Sequence, residues 1–413
     1  MLPLAAEHTT RFEDAALVFG ALLVLGALGS GVSKRSFLAM APVFLLAGFL
    51  LGDGWLGVLD FGARSHFVTQ LAEVALIVIL FRDGLEVDGE MLQRSWRLPA
   101  RKLVIAMPIT ACIVALATHA IVGLDWTEAF LVGALLSPTD PILSSGVVTN
   151  PRVPRVVRHS LNLESGLNDG LALAPVLALT AALSVDQTDF VWWRFVLQDV
   201  GLGLVYGLVI GYAASWLLPR GSYTRDVMPA HQRSLYALGI AFLTFGLADV
   251  LLHGNGFIAV FVCAITLGVR RPDIRGYVEA RAADIVEVVK LGVFVVFGSL
   301  LTLHGLFTDG WAAVALVLIT LLVARPVAVW VALAGTRVDW GTKAFMSWFG
   351  PKGIATVTFS LIVLGETIPQ GGRIFNLAAL VVVCSVFAHS FTDTPGTEWI
   401  ARRSDAQADA QAD

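Results

Sequence analysis

Apolar stretches long enough to cross a bilayer recur from one end of this 413-residue chain to the other, with short polar breaks between them. A helix that spans a membrane needs roughly 20 such residues, and thirteen stretches can be marked, among them 66–82, 102–122, 127–148, 160–184, 343–364 and 374–392. One soluble core cannot absorb them. The chain is 56% hydrophobic and 15% charged, where a soluble domain carries roughly 25% charged residues. The sequence therefore predicts an all-α membrane protein of about thirteen transmembrane helices, with the lipid bilayer as its first partner.

Lysine and arginine collect in cytoplasmic loops, so their placement tests the spans. One set of alternate loops holds Lys34 and Arg35, then Arg82, Arg94, Arg97, Arg101 and Lys102, and continues through Arg152, Arg225, Arg270, Arg337 and Arg402. Of the 28 basic residues only Arg11, Arg64, Arg194 and Arg373 fall on the other side, and Lys290, Arg325 and Lys352 fall within spans. This predicts an outside N-terminus and a cytoplasmic C-terminus. The net charge of −4 carries little information because the charges are segregated by side, and it implies no nucleic-acid partner. Cys112, Cys263 and Cys384 lie in apolar spans without metal-ligand spacing and read as packing residues. No basic leader precedes the first span. The polar tail after Trp399 reads as too short to fold.

Two spans are interrupted by proline beside a charge, at Ser137-Pro138-Thr139-Asp140-Pro141 in the fifth and Phe349-Gly350-Pro351-Lys352-Gly353 in the twelfth. Proline removes a backbone donor and clashes with the preceding turn, and irregular backbone at membrane depth survives only where protein or a cavity surrounds it. The breaks lie seven spans apart. That spacing fits two six-span units in inverted orientation with the seventh span as linker, the design of secondary transporters such as NhaA, with helices 5 and 12 broken and crossed. The units expected are scaffold helices over 1–101, core helices over 102–184, the linker over 185–233, scaffold over 234–309, core over 310–395 and a short disordered cytoplasmic tail over 396–413. Half-helix ends facing one another are positive at N-termini and negative at C-termini. Asp140 can neutralise the former and Lys352 the latter.

The sixth span carries Glu164, Ser165, Asn168 and Asp169. An ionisable side chain at that depth costs several kcal/mol unless paired or bound to an ion, which makes it a transport or proton-relay candidate. Ser165 and Asp169 share one helical face and Glu164 and Asn168 another, about 100° away. With Asp140 and the freed Thr139 carbonyl, the first face offers hard oxygen donors suited to a hard cation. Gly166 and Gly170 form a small-xxx-small pair that admits another backbone, with the broken fifth helix as the expected neighbour. Arginine cannot shed its charge, so a buried Arg325 needs a carboxylate, and Glu164 is the candidate.

These motifs resemble the sodium/proton exchanger branch of the monovalent cation/proton antiporters, the bacterial NhaP-like proteins. The residues that carry the resemblance are Thr139-Asp140-Pro141, the run Glu164-Ser165-Gly166-Leu167-Asn168-Asp169-Gly170, Arg325-Pro326 and the Gly350-Pro351-Lys352-Gly353 break. It covers nearly the whole chain, and the Asn-Asp pair after Glu-Ser is its specific signal. It implies a cation held by Asp169, Asp140, Ser165 and the Thr139 backbone, with Asn168 orienting the site and Glu164 paired to Arg325. It also implies a homodimer in a bacterial inner membrane, a role in pH homeostasis and one-for-one electroneutral exchange of Na+ or Li+ for H+, without a cofactor. Electrogenic relatives carry Asp-Asp instead. Two residues depart from the pattern. Lys352 stands where the family has arginine, and Lys290 resembles the membrane lysine of the electrogenic branch, where it meets an aspartate that this chain lacks. Lys290 either pairs with another carboxylate or snorkels to the membrane face.

The exchange follows from competition, in which a partly desolvated Asp169 beside Asp140 holds either a proton or a cation and only loaded forms cross the apolar barrier. Glu73 either lines the ion's access path or packs with a hydrogen bond. His119, His304 and His389 read as interfacial or packed residues. A K+/H+ antiporter of the same fold is the nearest alternative, since selectivity depends on fine cavity geometry. A cation channel is the alternative from another class, disfavoured by the paired proline breaks and by the lack of a Thr-Val-Gly-Tyr-Gly filter. An enzyme is not expected, because neither His-Glu-x-x-His nor Gly-x-Ser-x-Gly occurs.

Overall fold

The computed structural model describes residues 12–33, 40–87, 96–140, 150, 153–185, 190–219, 228–251, 253–281 and 283–412. Pro141 of the first break, and the loop cations Arg11, Lys34, Arg35, Arg94, Arg152 and Arg225, lie outside them. Among the described residues every regular element is helical. In chain order the longer ones are α1 (Phe12–Ser33), α2 (Met40–Leu51), α3 (His66–Glu86), α4 (Arg97–Val122), α5 (Trp126–Leu135), α6 (Arg155–Leu183), α7 (Trp192–Leu217) and α8 (Ala230–Gly246). There follow α9 (Gly256–Arg270), α10 (Pro272–Arg281), α11 (Ala283–Ser299), α12 (Trp311–Ala332), α13 (Trp340–Trp348), α14 (Ile354–Gly365) and α15 (Gly371–Ala412). Six of the described helices contain stretches long and apolar enough to cross a membrane, in α4, α6, α7, the α8 region, α12 and α15.

Side-chain caps set several starts. Ser65 accepts from the Val68 N–H ahead of α3, and Asp125 and Glu128 form a capping box ahead of α5. Asn255 accepts from the Ile258 N–H ahead of α9, and Asp339 from those of Gly341 and Thr342 ahead of α13. Each cap satisfies donors that the first helical turn leaves without partners.

α5, α13 and α14 have 10, 9 and 12 residues, or about 14–18 Å each at 1.5 Å per residue. That is near half the hydrocarbon thickness. α5 ends where the Ser137 hydroxyl turns back to donate to the Ala134 carbonyl at 2.9 Å, just before Pro138. α13 ends at Trp348, and α14 resumes after Gly353. The two breaks touch. The Asp140 N–H donates to the Pro351 carbonyl at 2.8 Å, and Lys352 Nζ donates to the Pro138 carbonyl at 3.2 Å. Each break thus supplies a donor to a proline carbonyl of the other.

Two π-helical turns lie close to charges in the interior. One covers Lys102–Ala106 inside α4; the other covers Thr320–Ala324 inside α12, immediately before Arg325-Pro326. A π turn re-aims the side chains that follow it, and Pro326 cannot donate to the preceding turn.

The structure departs from the sequence expectations in four places. α3 runs to Glu86 rather than ending at 82, so Asp83 is buried at 4% exposure and Arg82 pairs with Glu86 along the helix. Lys102, counted with the loop cations, is 1% exposed inside α4. Gly166 faces the Asp83 carbonyl of α3, and Gly170 faces the Phe261 ring of α9, so the small-residue pair receives α3 and α9 and not the broken fifth helix. The tail over 396–413, expected to be disordered, is helical as far as Ala412, because Ile400 and Ala401 are buried and Arg402 pairs with Glu398 one turn earlier.

Arg373, in the first turn of α15, holds three elements together. It donates to Asp309 Oδ1 from Nε at 2.9 Å and to the Val122 carbonyl from Nη2 at 2.8 Å, joining α15, the approach to α12 and the end of α4. Charged hydrogen bonds contribute about 1.5–3 kcal/mol. Arg373→Ala is expected to lower the thermal midpoint of the purified protein, and Arg373→Lys, which keeps the charge but not the forked geometry, to recover only part of the loss.

Candidate cation site

α6 divides the interior by charge. On one face Asp169, 3% exposed, meets Asp83 from α3 within hydrogen-bonding reach and feels the charge of Asp140 from the first break. Ser165, 5% exposed, lies one turn before Asp169 on the same face. Asp169 Oδ1 has no hydrogen-bond partner among the described residues. Three carboxyl groups from α3, the α5 break and α6 therefore converge in a space shielded from solvent. Arg82 and Lys290 offset part of this charge, and the remaining like charges are costly to keep ionised without a further cation or proton among them.

On the other face the balance is reversed. Glu164 Oε1 accepts from Arg325 Nη1 at 3.2 Å, and Glu164 Oε2 contacts Lys102 Nζ. Lys102 also donates to Ser160 Oγ at 3.4 Å. Arg325 extends its second nitrogen to the Met346 and Phe349 carbonyls at 3.3 and 3.2 Å, the last acceptors of α13. The negative end of that half-helix is therefore met by Arg325. Two basic side chains face one carboxylate here, which disfavours a metal cation on this face.

Asn168 and Thr139 stand between the two faces. The Asn168 amide donates to the Thr139 carbonyl at 2.6 Å and to its hydroxyl at 3.2 Å, and that hydroxyl donates to Glu164 Oε1 at 3.5 Å. The extended backbone around Thr139 is thereby fixed to α6. Lys352 is 1% exposed, and its backbone N–H donates to Ser385 Oγ on α15 at 2.8 Å. Close packing leaves no room for side chains at the second break. A Cβ on Gly353 would lie 2.7 Å from Asp140 Oδ2, and one on Gly350 would strike the Arg325 guanidinium.

Two sequence-predicted residues lie away from Asp169. Lys290, 5% exposed on α11, directs its charge at Asp83 and pairs with Glu287 at 3.4 Å. Glu73 is ten residues before Asp83 on α3 and faces Asp249 and Glu366. His389 is packed between the Ser385 and Trp348 carbonyls at 2.7 and 2.8 Å. The residues that sequence reasoning missed are Asp83 and Lys102. Asp83 follows a long apolar run and could have been found by extending α3 through Gly84 and Leu85; nothing local separates Lys102 from the neighbouring loop arginines.

The family described as sodium/hydrogen exchanger, transmembrane, matches residues 20–399. The chain is 25% identical over 395 residues to the K+/H+ antiporter NhaP of Alkalimonas amylolytica, covering 93% of this chain and 66% of that protein. It is 30% identical over 387 residues to the K+/H+ antiporter NhaP2 of Shewanella baltica, covering 89% of this chain and 64% of that protein. It spans about two thirds of the length of these two relatives. To the Na+/H+ antiporter 1 of Methanocaldococcus jannaschii it is 22% identical over 367 residues, covering 86% of this chain and 84% of that protein. The solved structure of the sodium proton antiporter MjNhaP1 from that organism at pH 8 shares the fold, with a TM-score of 0.79 at 20% identity over 94% of this chain and 98% of the other.

The inequality of charges around Glu164 makes a stability prediction. Glu164→Gln strands two buried cations and is expected to cost about 3–5 kcal/mol, read as a large fall in the thermal midpoint. Lys102→Met leaves Glu164 matched one-to-one with Arg325 and is expected to cost clearly less. Equal losses in the two variants would contradict the triad.

Proposed function

This chain belongs to the sodium/hydrogen exchanger family, and from that premise we propose that it is a secondary antiporter exchanging Na+ or Li+ for H+, one for one, by alternating access. The observation that carries this reading is the Asp169 oxygen left without a partner among the described residues and buried against Asp83 and Asp140. A monovalent cation is coordinated by Asp169, Asp140, Ser165 Oγ and the Thr139 carbonyl, with Asp83 completing the negative charge. When the cation leaves, a proton takes its place on the acid cluster. The empty, fully charged cluster is too costly to carry past an apolar barrier, so only the two loaded forms cross. Asn168 orients the site, Glu164 with Arg325 holds the moving bundle together, and Lys352 compensates the break. With Asp140 set against the positive half-helix ends and Lys290 directed at Asp83, Asp169 is the carboxylate that changes its load, and the cycle is electroneutral.

The architecture proposed with this function has about thirteen membrane spans in two inverted repeats, with the broken fifth and twelfth helices crossing at the site. Core helices over 102–184 and 310–395 move against a scaffold of 1–101 and 234–309. The hydrogen bond from Asp140 to Pro351 supports the crossing. The N-terminus lies outside and the C-terminus in the cytoplasm of a bacterial inner membrane, and two copies form a homodimer that serves pH homeostasis. A second reading, K+ in place of Na+, is favoured by the relatives from Alkalimonas and Shewanella, whose names specify K+/H+ antiport. The donors proposed here are hard oxygens that accept either ion.

The test is flux in proteoliposomes under an imposed pH gradient, with Na+, Li+ and K+ in turn and the membrane potential clamped at several values. The expected result is saturable, reversible exchange whose rate does not follow the potential. Asp169→Asn is expected to abolish it. Exchange retained in that variant would overturn the site, and a rate that follows potential would overturn the stoichiometry.

A further inference from the structure

A second polar cavity lies away from the acid cluster, between α6, α7 and the end of α14, with a volume of about 360 Å3. Asp199 and Glu366 line it together with Arg194, which donates to Gln198 Oε1 at 2.9 Å. Glu73 acts electrostatically on Asp249 and Glu366, and Asp249 acts on Asp199. Two carboxylates line the cavity with one guanidinium, and Glu73 and Asp249 add negative charge from beyond its wall; a concave site of net negative charge raises the local concentration of counter-ions. An acidic rim alone would be only a solvated surface.

Thr180 supplies an independent observation. It is 5% exposed, it lines the same cavity, and its hydroxyl oxygen has no hydrogen-bond partner among the described residues. A buried hydroxyl in that condition is costly unless something in the cavity completes it. Its place on α6 is also informative. Thr180 follows Asp169 by eleven residues, or three helical turns, so the two share a face at a separation of about 16 Å along the axis. Leu173 and Val176, both buried, occupy that face between them and separate the cavity from the acid cluster.

We propose that this cavity is a recruiting site for a hydrated monovalent cation, held by Asp199, Glu366 and the Thr180 hydroxyl with Glu73 and Asp249 as outlying charges. Its role as the station before Asp169 rests on the exchange reading; the site itself does not. The volume suffices, since a water occupies about 30 Å3 in the liquid and the ion keeps its hydration shell here. Dehydration belongs to the apolar step at Leu173 and Val176.

The test reads the cavity without requiring turnover. Ala181→Cys is introduced into the full chain after Cys112, Cys263 and Cys384 are replaced by alanine, with Gln198→Cys as an alternative position. The thiol is then labelled with a cationic trimethylammonium thiosulfonate and with its anionic sulfonate analogue. The cationic reagent is expected to be favoured roughly tenfold over its preference for a free thiol. Glu73→Gln combined with Glu366→Gln should lower that preference several-fold. Na+ or K+ should slow labelling more than choline at equal ionic strength, and Thr180→Val should remove this selective protection while keeping the charge preference. A preference equal to that of a free thiol, or equal protection by choline, would overturn the site. Absence of exchange in proteoliposomes would overturn the antiporter reading and leave these labelling results to stand by themselves.

Discussion

Two helices end in the middle of this molecule, and the fold depends on how those ends meet. A backbone group freed at membrane depth has no water to turn to, so a broken helix is tolerable only if protein completes it. Here the completion is mutual: the N–H of Asp140 in one break reaches the Pro351 carbonyl in the other, and Lys352 reaches back to the Pro138 carbonyl. Arg325 takes up the last carbonyls of α13. Gly350 and Gly353 let Arg325 and Asp140 approach so closely that neither position admits a larger side chain. The geometry that satisfies the backbone is also the geometry that brings charges together.

Those charges are sorted by sign across α6. Residues five positions apart on a helix point about 140° away from each other, so Glu164 and Asp169 serve different neighbourhoods. Glu164 lies among cations and is held by Arg325 and Lys102. Asp169 lies among acids. Asn168 and Thr139 link the two neighbourhoods by hydrogen bonds. A buried network with every charge matched would be inert; the surplus of acid on the Asp169 side is what the proposed exchange draws on.

The helical membrane fold was legible because apolar length is a strong signal, and the breaks because each combines proline and a charge with a second proline or with flanking glycines inside an apolar run. Asn168 and Asp169 were conspicuous for the same reason. Asp83 was not, since it comes after Arg82 and before Glu86 and looks like the polar end of a span. Lys102 was hidden by the arginines at 97 and 101, which share its charge but not its burial. The partners of Gly166 and Gly170 also eluded the sequence, because spacing shows that a helix is approached closely and not which helix approaches. In each case the missing knowledge was tertiary: the depth of a residue, or the identity of a neighbour distant in the chain.

The central claim is that a cation and a proton compete for the acid cluster around Asp169. Proton release on cation addition, followed in weakly buffered detergent solution while binding is measured by calorimetry, tests it most directly. The account predicts about one proton released for each cation bound, a signal lost in the variant lacking the Asp169 charge. Cation binding without proton release would contradict it.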